Sequence, residues 1–329
     1  MLNNMEKECG GTSMNLSGVS YFDAGFSVFL FLTTVPVNLL ILLGLYKFSH
    51  LLNRNYYLVI TNIAISDLIM GLICDPMSIS FHVKEALGPS VVALPDIEQK
   101  TMHFIFFFTN TVSVLSMAVL TIDRLGVILS PFYYYSKLTK SRMIMLLVVA
   151  WLLGGMSTIF YLYIGYIRFL VVFAFSTVIF TLIVMVVTWF LLRRRLRMAK
   201  ANEIQRRDSR LRCHTDSLVH VRRRTENTIE FTQMDKRITK TFLCMLVLFI
   251  FNYLPCVILI VYMNLCKNCD CDFVHVLRDV IWLAILSSAL CRPFNFVIRL
   301  AALQESIKSV FRRSDPKNSV EVPLNTSKQ

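Results

Sequence analysis

Seven stretches of this chain are each long and apolar enough to cross a lipid bilayer: residues 22–48, 56–82, 102–129, 143–163, 169–192, 242–263 and 274–298. About 20 mostly apolar residues span the hydrocarbon core as a helix. A backbone in lipid must satisfy its own polar groups, so only helices and closed barrels can cross. A barrel would need many alternating segments of about ten residues, and these runs are continuous. The expected fold class is therefore all-α, a bundle of seven transmembrane helices. Charged residues make up only 17% of the chain, against about a quarter in soluble proteins. Nine cysteines are present, but no repeated CxxC with histidine partners at zinc spacing, so no metal motif is read. No nucleophile, base and orienting group occur together. Neither an enzyme nor a cofactor is expected.

The net charge is +13. Its distribution points to loop charge beside an anionic cytoplasmic leaflet rather than to nucleic-acid binding. Fourteen Lys and Arg crowd residues 193–237. Lys137, Lys140 and Arg142 follow helix three, and Lys308, Arg312, Arg313, Lys317 and Lys328 lie in the tail. The opposite side carries only Lys7, Lys84, Lys100, Arg168, Lys267 and Arg278. Positive charge stays inside, so the N-terminus is expected outside and the C-terminus in the cytoplasm. The organisation read from this is an extracellular segment 1–21, a seven-helix domain 22–300, an amphipathic helix 301–313 and a cytoplasmic tail 314–329. Residues 1–21 hold no apolar core behind a basic end, so helix one is expected to act as its own insertion signal. Asn15 begins a glycosylation sequon on the outer side, while the sequon at Asn325 lies on the wrong side. Helices four and five leave only a few residues, near 163–168, for the outer loop between them. The basic loop 193–237 is long, with a middle, 202–226, expected to lack fixed structure. Within it Ser209 and Thr225 each follow a pair of arginines, the context basophilic kinases prefer. Plain positive-inside charge explains the same run equally well. No internal repeat is visible, which counts against repeat-built transporters.

Ionisable residues inside a span are expensive and mark function. Asp67 and Arg292 both fall in the inner halves of their helices. Opposite charges in low dielectric pair. Two readings stay open: a structural ion pair locking helices two and seven, or a polar hub that rearranges when the protein switches.

Short motifs then fall on the expected helices in order. Val37-Asn38 resembles a GN pair, and Ala64-Ile65-Ser66-Asp67 an LAxAD motif. Asp123-Arg124-Leu125 resembles DRY, with Ser130-Pro131-Phe132 after it. Trp151 marks helix four, Phe249 with Asn252-Tyr253-Leu254-Pro255 resembles F…CWxP, and Arg292-Pro293-Phe294-Asn295-Phe296 resembles NPxxY. Leu303, Ile307 and Phe311 form one face of a terminal amphipathic helix. Along nearly its whole transmembrane length the chain thus resembles rhodopsin-like (class A) G-protein-coupled receptors. The resemblance implies a plasma-membrane receptor that couples an extracellular ligand to a heterotrimeric G protein by movement of helix six. Arrestin and membrane lipids are implied as further partners. The residues implied in switching and coupling are Asp123, Arg124, Asp235, Phe249, Tyr253, Pro255, Pro293 and Phe296. The polar hub would comprise Asn38, Asp67, Ser113, Ser288 and Arg292. Asp235, at the start of helix six, stands where an acidic residue bridges to the DRY arginine.

The departures are specific. Tyr253 stands in place of the toggle tryptophan, Arg292 in place of the NPxxY asparagine, and Phe296 in place of its tyrosine. In related receptors the helix-two aspartate, a helix-three serine and that asparagine hold a sodium ion. Here Arg292 would replace the ion. Gln99 stands where the helix-three cysteine should be, so the usual disulfide cannot form. Its loss, with a minimal second outer loop, is similar to the melanocortin, cannabinoid and lysophospholipid receptors. The outer cysteines Cys266, Cys269 and Cys271 sharpen the likeness to the melanocortin group. With Cys9 they make four, open to three pairings.

Helix three presents His103, Phe106, Phe107 and Asn110 on one face, either as packing or as the wall of a ligand pocket. Asp75, Tyr253, Val257 and Leu286 complete the candidate pocket. Phe106 falls where amine receptors carry an aspartate, and Leu286 where opsins carry the retinal-linking lysine. The resemblance therefore implies neither a biogenic amine nor retinal, and leaves a peptide, lipid or other small molecule open. Asp75 can meet a basic ligand group, or pair with His103 or His82. The competing readings are an accessory seven-helix protein that signals poorly, suggested by the altered switch residues, and a transporter or channel.

Overall fold

The computed structural model describes residues 17–87, 96–129, 138–212, 243–266 and 271–311. Among these residues seven helices are long and apolar enough to cross a membrane, and no strand occurs. Helix α1 is Ser17–Lys47, α2 Asn55–Ala86, α3 Asp96–Leu129 and α4 Lys140–Ile164. Helix α5 is a continuous run of three pieces, Tyr166–Phe173, a π-helical turn Ala174–Ile179, and Phe180–Arg212. Helix α6 is Leu243–Leu265, α7 Cys271–Arg299 and the short α8 Ala301–Phe311. The chain is a multi-pass membrane protein. The end of the bundle where α1 begins is called the N-face below, and the end carrying α8 the C-face.

Lipid is as apolar as the side chains, so burial of apolar surface does little to hold such helices together. Close packing at small residues and interhelical hydrogen bonds do that work instead. At Gly154 of α4 an added Cβ would lie 2.9 Å from Val112 Cγ2 on α3. At Gly71 of α2 it would lie 3.1 Å from Val35 Cγ2 on α1. A polar bracket spans three helices: Trp151 Nε1 on α4 donates to Asn62 Oδ1 on α2 at 2.8 Å, and Asn62 Nδ2 donates to Ser116 Oγ on α3 at 2.8 Å. Helix α3 is the axis of the bundle, with 72% of its apolar window buried against 28% for α4 at the rim.

The connection between α4 and α5 is a single residue. Gly165 takes φ 79°, its N–H closes α4 on Tyr161 O at 3.1 Å, and its carbonyl accepts from Phe169 N–H to open α5. A left-handed φ favours glycine because it has no Cβ to clash. Helix α5 has no proline. The π turn supplies its irregularity, with one backbone register step of the kind that often marks functional segments.

One expectation is corrected. The segment from residue 202 to Arg212 is helical, a continuation of α5, where a structureless middle was expected; residues 213–242 lie outside the described ones. Helix α8 is described from Ala301 to Phe311, and Leu303, Ile307 and Phe311 fall at i, i+4 and i+8 on it. Leu303 is buried and Ile307 packs on Gly44 of α1, while Phe311 is 70% exposed. Lys47, the last residue of α1, reaches Ser309 O.

Candidate functional site

Arg292 of α7 and Asp67 of α2 meet in the middle of the bundle. Arg292 Nε donates to Asp67 Oδ2 at 3.1 Å and Nη2 donates to Oδ1 at 2.7 Å. These two parallel bonds are the bidentate geometry that makes an arginine–carboxylate pair both strong and directional. Nη1 donates to Tyr253 OH on α6 and to Ser288 Oγ on α7, each at 2.9 Å. Tyr253 OH in turn donates to Asn110 Oδ1 on α3 at 2.8 Å. Ser113 Oγ, also on α3, donates to Asp67 Oδ1 at 2.7 Å. Asp67 is fully buried and Arg292 is 7% exposed. A lone charge at such depth is costly. Here each Arg292 nitrogen has an acceptor and both Asp67 oxygens have donors.

The network joins α2, α3, α6 and α7 through one guanidinium. It brings together Asp67, Ser113, Ser288 and Arg292 as the sequence suggested, and adds Tyr253, which the sequence placed in both the switch and the ligand pocket, and Asn110, which it placed in the pocket. Asn38 stands apart. Its Nδ2 donates to Thr34 O at 3.0 Å and to Ala289 O at 3.4 Å, tying α1 to α7. Tyr253 and Arg292 are two departures from the receptor motifs that the sequence resembles, and they touch. Tryptophan offers only a donor, and a guanidinium offers only donors. The tyrosine hydroxyl can both accept from Arg292 and donate to Asn110.

Next to this hub lies a narrow cleft lined by Met117, Phe249, Asn252, Tyr253, Arg292 and Phe296, among others. Phe296 is buried. The Phe249 ring packs 4.6 Å from the Tyr253 ring. Pro255 and Pro293 sit inside α6 and α7, and both helices run on through them. Near the C-face, Arg124 is held by its own neighbour: Nε donates to Asp123 Oδ2 at 2.8 Å and Nη2 to the same oxygen at 2.5 Å. Its guanidinium also lies 4.2 Å above the Tyr56 ring. Asp235 is outside the described residues.

Toward the N-face the aromatic residues of α3 are closed off rather than open. Phe106 stacks on Trp282 of α7 at 4.0 Å. Phe107 packs among Tyr161, Tyr166, Phe169 and Phe173. His103 Nδ1 pairs with Tyr161 OH at 2.9 Å. Val257 and Leu286 are buried in the core. A cavity of about 290 Å³ opens above this plug, lined by His82, Gln99, His103, Tyr166, Asp279 and Trp282, among others. Of the expected pocket residues only His103 borders it. Asp75 is buried, and it pairs with neither histidine: His103 is on Tyr161, and His82 Nδ1 is on Glu85 at 3.3 Å. Trp282 escaped the sequence reading. An apolar residue in an apolar helix carries no mark of its own, though its indole N–H does reach Ser78 Oγ at 3.0 Å.

Cys266 and Cys271 are disulfide-bonded, while Cys9 and Cys269 lie outside the described residues. Cys74, Cys244, Cys256 and Cys291 are free thiols. Asn15 and Thr225 are also outside the described residues, and Ser209 is in the last turns of α5, where its side chain is not described.

Residues 37–168, from the middle of α1 to the start of α5, match the family described as "7 transmembrane receptor (rhodopsin family)". Dopamine receptor 4 of Caenorhabditis elegans is 28% identical over 124 residues, 38% of this chain and 23% of that protein. The D(1C) dopamine receptor of Xenopus laevis is 30% identical over 125 residues, 38% of this chain and 26% of its own. Dopamine receptor 2 of Drosophila melanogaster is 30% identical over 131 residues, 39% of this chain and 23% of its own. The chain thus spans about a quarter of the length of the curated relatives it matches. These relatives are not of the melanocortin, cannabinoid or lysophospholipid group that the cysteine pattern suggested. The match ends before α6 and α7, the helices that carry Tyr253, Arg292 and Phe296.

Proposed function

We propose that this chain is a rhodopsin-like G-protein-coupled receptor, with its N-face outside the plasma membrane and its C-face coupled to a heterotrimeric G protein. The observation that carries the reading is the buried guanidinium joining α2, α3, α6 and α7. Helix six cannot swing outward without disturbing the bonds of Tyr253 to Asn110 and Arg292. The hub is therefore the latch of the resting state. Release of Arg124 from Asp123 at the C-face frees a cation for the partner. Arrestin would meet the same face.

The ligand enters from the N-face. The dopamine-receptor names belong to those proteins, and they give no support to excluding an amine here. What separates this chain is local. Phe106 is stacked on Trp282, so no carboxylate of α3 is available at that level to an ammonium group. Asp23, Asp75 and Asp279 are buried acids on that side of the bundle, and a basic ligand group would meet an acid of that set. A peptide, lipid or other small molecule fits the same reading.

The test is nucleotide exchange on purified G proteins by the full-length protein in nanodiscs, across a ligand panel. Tyr253→Phe cuts the latch and should raise ligand-independent exchange severalfold over wild type. A second reading is kept because Tyr253, Arg292 and Phe296 all alter switch positions: a seven-helix protein that signals poorly. If wild type and Tyr253→Phe both fold and both stay silent with every G-protein class, that second reading replaces the first.

A further inference from the structure

A second polar cluster lies at the N-face, where α1, α2 and α7 meet. Asp23 of α1, His82 and Glu85 of α2, and His275 and Asp279 of α7 come together there. Ligand atoms of Asp23, His82 and Asp279 all lie within 4.8 Å of one another. The three residues are 4%, 2% and 4% exposed. Oδ2 of Asp23 is buried and accepts no hydrogen bond. Asp279 Oδ2 has His275 Nδ1 at 2.9 Å as its ion-pair partner. A buried carboxylate oxygen left without a donor is costly, so Asp23 calls for a cation.

The histidine is already aimed. His82 Nδ1 faces Glu85 Oε2 at 3.3 Å, which leaves Nε2 free. Glu85 is itself fixed, accepting from Ser20 Oγ at 3.0 Å and facing His275 Nε2 at 2.6 Å. An imidazole held through one nitrogen by a carboxylate is the usual support of a metal-ligating histidine.

We infer that Asp23, His82 and Asp279 form a Zn²⁺ site that joins α1, α2 and α7, with Glu85 orienting His82. One imidazole and two carboxylates suit zinc, which binds both at about 2.0–2.2 Å. Calcium and magnesium take all-oxygen shells of six or more ligands. Three protein ligands leave one tetrahedral position open. His82 and Asp279 both border the 290 Å³ cavity, so that position is open to water or to a donor atom of a ligand. Two aspartates balance the charge of the ion once His275, now 2.9 Å from Asp279 Oδ2, gives up its proton and its place there. Arg278 Nε lies 3.7 Å from Asp279 Oδ1, but its side chain is 30% exposed and can turn to solvent as the metal enters.

The inference does not rest on G-protein coupling, because its test reads binding. The full-length protein in nanodiscs, stripped with a chelator, is titrated with zinc chloride while bound zinc and the melting temperature are followed. One zinc per chain and a raised melting temperature are expected. Asp23→Asn and His82→Gln should each weaken binding at least about tenfold, and Glu85→Gln by about 10- to 100-fold. Asp23→Asn removes a buried charge without a partner, so in the absence of zinc it should melt no lower than wild type. Should it fail to fold, His82→Gln, which keeps both aspartates, carries the comparison. A wild type that binds no zinc overturns the inference. So does undiminished zinc binding in the folded variants, or binding that thiol alkylation abolishes.

Discussion

Arg292 and Asp67 each need the other more than the fold needs either. Removing one partner of a buried pair strands a charge, at a cost of about 3–5 kcal/mol, while replacing both with neutral groups costs far less. Asp67→Asn alone should therefore lower the melting temperature sharply, and Asp67→Asn with Arg292→Asn should recover part of the loss. Thermal unfolding of the two proteins in nanodiscs checks this. Tyr253 is the third member. Tyr253→Phe leaves Arg292 Nη1 and Asn110 Oδ1 each short of a partner, costing about 1–3 kcal/mol. Tyr253→Trp, the residue of the receptors that the sequence resembles, should be worse than Phe in the same assay, because the indole cannot accept from Arg292. The pairing of Asp67 with Arg292 was legible in the sequence, since opposite charges in apolar spans have few places to go. The part played by Tyr253 was not, because whether its hydroxyl meets a ligand or a guanidinium depends on the depth of α7 against α6. The N-face cluster was illegible for a related reason: Asp23, His82 and Asp279 come from three separate helices, with no spacing motif to announce them.

At the scale of elements, the helices were legible because apolar length alone sets a span, and their ends less so. Hydropathy stops at the membrane boundary, but a helix does not, which is how α5 runs on to Arg212. The π turn Ala174–Ile179 left no trace in residue type, because it is a register step in the backbone. Packing at the rim depends on single glycines. Gly154→Val should drive a side chain into Val112 and part α4 from α3, costing about 1–3 kcal/mol as overpacking does. A lower melting temperature with the α2–α3 contact intact is expected. Gly165→Ala is a different fault. Its φ of 79° is left-handed, and an alanine there costs about 1–2 kcal/mol. Both outcomes are readable as surface abundance of the tagged protein alongside thermal unfolding.

At the scale of the whole molecule, the hub carries its own cation. If Arg292 occupies the place of a sodium ion, a second ion would meet like charge in low dielectric. Ligand-independent exchange should then be the same in sodium and in potassium, and Arg292→Asn should make it sodium-sensitive. A wild type that shifts between the two salts argues that the guanidinium turns away from Asp67. The orientation has its own check: Asn15→Gln should abolish a glycosidase-sensitive mobility shift that Asn325→Gln leaves unchanged. The one-residue link at Gly165 reaches further than its own strain. A loop lets two helices move separately, whereas a single residue makes them one mechanical body at that end. Any tilt of the N-face end of α5 must drag α4 with it, including the Trp151 bracket to α2 and α3. The compliance that remains to α5 is the π turn below, so a push at the N-face is either absorbed there as a change of winding or passed on to the C-face as torque.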